Sequence, residues 1–123
     1  MPFQLSTDHK KFNITKEDTT IYVKTKHIPI YLMMLHNHFN PFSSKEKYAN
    51  HEVIKSSSSD TIVVKIGGKI SKYAIGNFDN GTRLYGKDLD DYLIVNEEEV
   101  NKLILLLSDY YLDIMGVTGI LKK

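Results

Sequence analysis

The chain has 123 residues and a formal net charge of +1, with 41% hydrophobic and 25% charged residues. These values are typical of a globular domain with its own core and argue against a largely disordered chain. The chain has no cysteine, which excludes a disulfide framework, a thiol nucleophile and a cysteine-based zinc or iron–sulfur site. We predict a single domain over residues 1–123, in a reducing compartment.

We find no pattern of export or membrane insertion in the sequence. The first residues, Met1–Leu5, lack the charged start and apolar run of a signal peptide. The longest apolar runs, Pro29–Leu35 and Leu103–Leu107, are much shorter than the roughly 20 residues that cross a bilayer. We therefore expect a cytoplasmic protein that does not enter a membrane.

The charges are unevenly distributed along the chain. Residues 1–87 hold 13 Lys or Arg and 7 Asp or Glu, whereas residues 88–123 hold 3 and 8. A basic first part indicates either a surface for nucleic acid or an acidic partner, or two parts that attract each other once folded.

Arg83 is the only arginine beside 15 lysines. This bias, with many Ile and Asn residues, is typical of an AT-rich coding sequence, from a low-GC bacterium, its phage or a mobile element.

The first half of the chain predicts strands around one ambiguous segment. At most an edge strand is expected between Phe3 and Thr15, and alternating residues predict a strand over Thr19–Ile28. Residues 29–39 are apolar at nearly every position, so no period stands out. Pro29 suits the first turn of a helix and Pro41 would end one, which favours a short helix; a buried strand is the alternative. Residues 42–50 are polar and predict a loop.

Two strands joined by a tight turn are predicted next. Residues 61–67 and 70–78 read as strands around Gly67-Gly68, and Asn80-Gly81 is a strong signal for a two-residue hairpin loop. With that loop, the predicted register pairs Phe78 with Arg83, Gly76 with Tyr85 and Ala74 with Lys87.

The clearest element is a helix over residues 97–115, which follows a short strand, Tyr92–Val95. Asn96 is a good N-cap, and Glu99 three residues later completes a capping box. Residues 117–121 are expected to be a tucked tail or a last edge strand. The resulting fold class is α+β: an antiparallel sheet of four to five strands, with the C-terminal helix (97–115) and the possible second short helix (29–39) packed on it.

The C-terminal helix is apolar on more than one side. Its core stripe is predicted to be Val100, Leu103, Ile104, Leu107, Tyr110, Tyr111 and Ile114. Leu105 and Leu112 lie opposite that stripe, and Leu106 lies on its flank. Either residues 29–39 and 117–121 cover this second side, or Leu105, Leu106 and Leu112 bind a partner, which would be another protein or a second copy of the chain.

A second candidate surface combines basic and aromatic residues. The predicted register places Lys72, Phe78, Arg83, Tyr85 and Lys87 on one side of the sheet, and Tyr22, Lys24 and Lys26 repeat the pattern. Single-stranded nucleic acid is often bound in this way, with bases stacked on rings and phosphates near cations. The alternative is a solvated face on which Tyr85 covers Gly76.

Two histidines, His36 and His38, raise the question of a metal site or acid–base catalysis. They share a face only if residues 29–39 are extended, because on a helix they diverge by about 200°.

No catalytic motif is present, and we expect no cofactor and no metal. The function we expect is a small non-enzymatic binding protein that contacts another protein as an inhibitor or regulator. The alternatives are a single-stranded nucleic-acid-binding protein and, with less support, a His-dependent enzyme.

Overall fold

The computed structural model describes residues 3–7, 10–39, 45–48, 50–55, 61–79, 81–87 and 91–114. Within these ranges the chain forms strands, two α-helices and a 3₁₀ turn. In chain order they are β1 (Phe3–Thr7), β2 (Lys11–Lys16), β3 (Thr19–Lys24), the 3₁₀ turn (Thr25–His27), α1 (Ile28–Phe39), β4 (Lys45–Tyr48), β5 (His51–Lys55), β6 (Thr61–Ile66), β7 (Lys69–Phe78), β8 (Gly81–Tyr85), β9 (Tyr92–Val95) and α2 (Glu97–Ile114).

The described strands form two antiparallel sheets. One has the order β1-β2-β3, and the other has the order β4-β5-β6-β7-β8-β9. Within each sheet, the described strands therefore pair with their neighbours in sequence, as short connections favour. The predicted α+β class is confirmed, with an antiparallel sheet, the C-terminal helix and the short second helix. The structure adds a separate sheet built from β1, β2 and β3.

Three local predictions were wrong. The segment 3–15, expected to hold at most an edge strand, contains β2, which is the central strand of its sheet. The strand predicted over Thr19–Ile28 ends at Lys24, because the chain turns there into the 3₁₀ turn and α1. The loop predicted over 42–50 contains β4. The prediction for 117–121 lies outside the described residues.

The predicted β7–β8 register was also wrong, by two residues. Phe78 pairs with Gly81, so Gly76 pairs with Arg83 and Ala74 with Tyr85. Gly81 belongs to the ladder, with a φ of +120° that a glycine tolerates. Because a shift of two residues preserves the alternation of faces, the described side chains within β7 and β8 stay on the predicted sides of the sheet.

Helix α1 contacts most of the other layers. It packs against β5, β6 and β7, against β3, and against α2. A helix with neighbours on several sides needs apolar residues around most of its circumference. This explains why residues 29–39 show no amphipathic period. The fully buried side chains of α1 are Ile28, Ile30, Tyr31, Met34 and Leu35.

The two sheets meet where β8 ends and the chain passes beside β3. The Lys87 backbone N–H donates to the Tyr22 carbonyl oxygen at 2.8 Å. A Cβ atom added to Gly86 would lie 2.7 Å from both the backbone nitrogen and oxygen of Tyr22. Only glycine therefore allows this close approach of the two backbones without displacing one of them.

The start of α2 is held by the predicted capping box, which is confirmed. The Glu99 N–H donates to Asn96 Oδ1 at 2.8 Å, and the Asn96 N–H donates to Glu99 Oε1 at 3.0 Å. Lys16 Nζ lies 3.0 Å from the same Glu99 oxygen and donates to the Ile94 carbonyl at 2.6 Å. These contacts join the β2–β3 hairpin to β9 and α2. Within the described residues, neither helix has the length and apolarity needed to cross a bilayer.

Candidate functional site

The first candidate surface lies on α2 and consists of Leu105, Leu106 and Leu112, here named the leucine face. Leu105 is 72% exposed, whereas Leu106 and Leu112 are half-buried. At about 100° per residue, Leu105 and Leu112 point in nearly the same direction and Leu106 lies on the flank. The leucine face is therefore centred on one well-exposed apolar side chain.

The opposite side of α2 is the core side, as predicted. Val100, Leu103 and Leu107 are fully buried. Ile104, Tyr110 and Tyr111 are partly buried against the core, while the side chain of Ile114 lies outside the described part of the chain. The Tyr110 ring packs 4.7 Å from that of Phe12, measured between centroids. Helix α1 and strand β2 contact this core side of α2. Helix α1 therefore does not cover Leu105, which lies on the opposite side.

The second candidate surface lies on the face of the six-stranded sheet that points away from α1. It consists of Phe78, Arg83, Tyr85 and Tyr92, here named the aromatic face. The Arg83 guanidinium carbon lies 4.3 Å from the Phe78 ring centroid and 4.5 Å from that of Tyr92. The Tyr85 and Tyr92 rings are 5.4 Å apart. Cation–π attraction therefore holds the guanidinium among the rings, and Phe78 remains 41% exposed.

The aromatic face agrees only in part with the predicted basic and aromatic set. Phe78, Arg83 and Tyr85 lie together as expected, and Tyr92 was missed although it pairs directly with Tyr85. Its alternation with the buried Leu93 would have placed it on this face. Lys72 lies in β7 at an alternating position, but its side chain is outside the described part of the chain.

Lys87 lies in a different place from the aromatic face. Its ammonium is 5.7 Å from the ring centroid of Tyr73, which is fully buried on the α1 side of the sheet. The prediction extended the strand alternation past Tyr85, where β8 ends. Gly86 then directs the chain toward β3 and removes Lys87 from that pattern.

A third set of side chains surrounds the buried Tyr73 at the junction of the two sheets. The Tyr73 hydroxyl accepts a hydrogen bond from the Lys24 N–H at 2.9 Å and lies 3.0 Å from His27 Nδ1. His27 is only 6% exposed, and its ring is 6.0 Å from that of His51. The Tyr31 ring packs edge-on against Tyr73 at 5.4 Å.

The surroundings of this cluster keep both central groups neutral. Burial, followed by smaller contributions from the charges of Lys26, His51, Lys87 and Lys24, lowers the pKa of His27 from 6.5 to about 4. Burial raises the pKa of the Tyr73 hydroxyl far above its ordinary range. Because the Tyr73 hydroxyl already accepts from the Lys24 N–H, we assign its own proton to the bond with His27, whose Nδ1 accepts in the tautomer protonated at Nε2.

The two histidines singled out by the sequence lie on α1. His36 is exposed and His38 is half-buried, and the helical conformation turns them apart, which removes the extended geometry that a shared metal ion would need. In the part of the chain that the structure describes, no group of three or more His, Asp or Glu side chains could hold a metal ion.

A cleft of about 450 Å³, which no sequence pattern indicated, lies between the β2–β3 hairpin and β9. Lys16, Glu17, Thr19 and residues 91–94 line it. Glu17 has a φ of +58°, a left-handed conformation that costs a side-chain-bearing residue about 1 kcal/mol or more. The Lys16 ammonium is already bound to Glu99 and Ile94, so the cleft does not offer it to a ligand.

In comparisons with protein-family models, curated proteins and solved structures, nothing matches this chain. The functional argument therefore rests on the three sets of side chains described above.

The buried His27 predicts that acid destabilises the protein. The unfolded chain binds a proton near the ordinary pKa of 6.5, whereas folded His27 does so only near 4, so protons favour the unfolded state between these values. We expect the His27 contribution to stability to fall by about 2 kcal/mol from pH 7 to pH 5, as measured by urea denaturation. In His27→Gln the pH dependence should be weaker by that amount, and in the control His36→Gln it should be unchanged. Equal pH dependence in wild type and His27→Gln would contradict the assignment.

Proposed function

We propose that the chain is a small non-enzymatic binding protein that acts as an inhibitor or regulator by contact with another protein, through the leucine face. The observation that carries the proposal is the 72% exposure of Leu105. Three leucines of which one is largely exposed give an apolar patch of the kind that protein interfaces bury.

Charged and polar side chains surround the leucine face. Glu98, Asn101, Lys102 and Asp109 are exposed on the same side of α2 as Leu105. An apolar centre with a polar rim is the usual arrangement of a non-obligate interface. This arrangement supports contact with a partner that binds and dissociates, either another protein or a second copy in a homodimer.

The proposed setting is the cytoplasm of a low-GC bacterium, with the protein encoded by a phage or mobile element. The absence of cysteine and the 15 lysines beside one arginine support it. A His-dependent enzyme has less support, because His36 and His38 are turned apart on α1.

The leucine face predicts that Leu105→Glu weakens binding without unfolding the protein. Because Leu105 is exposed, the free energy of unfolding should change by no more than about 0.5 kcal/mol. Self-association, measured by light scattering coupled to size exclusion, or binding of a protein captured on the tagged chain, should weaken by at least about tenfold. Leu112→Glu should also weaken binding, with some loss of stability because Leu112 is half-buried.

Asn101→Glu is the matched control, because it adds the same charge one turn away and removes no apolar group. It should bind more like wild type than like Leu105→Glu. The proposal is contradicted if the protein neither self-associates nor retains any protein in a Leu105-dependent manner. Unfolding by Leu105→Glu would instead assign this leucine to the core.

A second candidate function is binding of single-stranded nucleic acid on the aromatic face. The observation that favours it is the position of Arg83 between the Phe78 and Tyr92 rings. Bases can stack on exposed aromatic and guanidinium planes while a cation meets the phosphates. The same residue types are also common at the centre of protein interfaces, so this surface would equally serve the first proposal.

The nucleic-acid function predicts salt-dependent binding of a labelled single-stranded oligonucleotide, measured by fluorescence anisotropy. Tyr92→Ala should weaken it by about 1–3 kcal/mol, the usual value of one base stacked on a ring. Lys102→Gln, on α2, is the control and should have little effect. An absence of binding at low salt would rule out this function, and unchanged binding by Tyr92→Ala would exclude the aromatic face as its site.

A further inference from the structure

Two residues of opposite charge flank Leu105 on α2. Lys102 lies three positions before Leu105, and Asp109 lies four positions after it. Both side chains are exposed, and neither forms an ion pair with another described residue. At about 100° per residue, they are displaced to the same side of Leu105, by about 60° and about 40°. One edge of the leucine face therefore carries a positive and a negative group, one on each side of its centre.

An antiparallel copy of α2 would bring these opposite charges together. A two-fold axis that passes beside Leu105, perpendicular to the helix, reverses the helix direction and keeps each side chain on its own edge of the contact. Lys102 of each copy then lies opposite Asp109 of the other, offset along the helix by about 1.5 Å, the rise of one residue. The two Leu105 side chains meet at the centre, so the surface is complementary to itself.

A parallel copy of α2 gives no such match. Its two-fold axis runs along the helices and exchanges the two edges of the contact. Lys102 and Asp109 would then face Asn101 and Ser108 of the second copy, which carry no charge. The charges on α2 therefore favour the antiparallel arrangement.

We propose that the leucine face is the contact surface of an antiparallel homodimer, with Leu105 of both copies at the centre and two symmetric Lys102–Asp109 pairs beside it. This inference rests on the proposed function and names its partner as a second copy of the chain. Exposed ion pairs contribute little affinity but exclude wrong registers. The apolar centre is small, and Glu98 comes opposite Leu112 of the second copy, so the dimer should form only at high protein concentration.

Sedimentation velocity between about 10 µM and about 1 mM protein measures the monomer–dimer equilibrium. We expect the wild type to shift reversibly toward the dimer mass as its concentration rises. Leu105→Glu should weaken the dimer by at least about tenfold, because both copies lose the central contact. Circular dichroism of this and of each following variant checks that the chain remains folded.

Lys102→Glu and Asp109→Lys should each weaken the dimer by about tenfold, because each change places like charges opposite each other in both symmetric pairs. Lys69→Glu is the control. It makes the same charge change at an exposed lysine that begins β7, and it should change the dissociation constant by no more than about twofold.

An equimolar mixture of Lys102→Glu and Asp109→Lys tests the register. In the mixed dimer, the new glutamate of one variant faces the new lysine of the other, and the original Asp109 faces the original Lys102. The two variants should therefore form a heterodimer about as tight as the wild-type dimer, although each dimerises poorly alone. The double variant Lys102→Glu/Asp109→Lys should recover the homodimer for the same reason.

A wild type that stays monomeric at about 1 mM, or a dimer that Leu105→Glu leaves intact, overturns the inference. The proposed function would survive either result if another protein is still captured in a Leu105-dependent manner. A dimer that Leu105→Glu weakens, but whose two charge variants do not pair when mixed, overturns the antiparallel register and with it the inference. Loss of both the dimer and the Leu105-dependent capture would contradict the inference and the proposed function together.

Discussion

The hydroxyl of Tyr73 fixes how the two sheets sit relative to each other. Tyr73 belongs to the six-stranded sheet, and two of its partners, the Lys24 N–H and His27, belong to the segment that leads from β3 into α1. The hydroxyl is fully buried, so losing either partner would leave a polar group without water, at a cost of about 1–3 kcal/mol. The same contacts therefore set the position of the three-stranded sheet and the start of α1.

The candidate surfaces follow from that placement. With α1 buried between the six-stranded sheet and α2, the aromatic face is left on the far side of the sheet and Leu105 on the far side of α2. The third set of side chains arises at the contact itself, because the chain segment that meets Tyr73 there carries Lys24 and His27. Joining the two sheets thus brings residues together that are distant in the sequence.

The sequence predicted the features that local signals determine. Helix α2 was predictable because its capping box and its period lie within the helix itself. The β7–β8 register was not, because the Asn-Gly signal identifies a turn but not whether Gly81 joins the ladder. Lys87 was misplaced since nothing local shows that β8 stops at Tyr85. The junction was not predictable, because its hydrogen bonds join residues 46 and 49 positions apart. The leucine face was named from the helical period, and its role as an interface stays a prediction, as does the single domain.

Native-state hydrogen exchange in low urea tests the coupling of the two sheets most directly. In the wild type, the amides of Ile14 and Val23 in the three-stranded sheet should open with the same free energy as those of Val64 and Ile75 in the six-stranded sheet. In Tyr73→Phe, Ile14 and Val23 should open more easily than Val64, by about 1–3 kcal/mol. If the two sheets already open at different free energies in the wild type, or if Tyr73→Phe leaves them equal, Tyr73 does not join them.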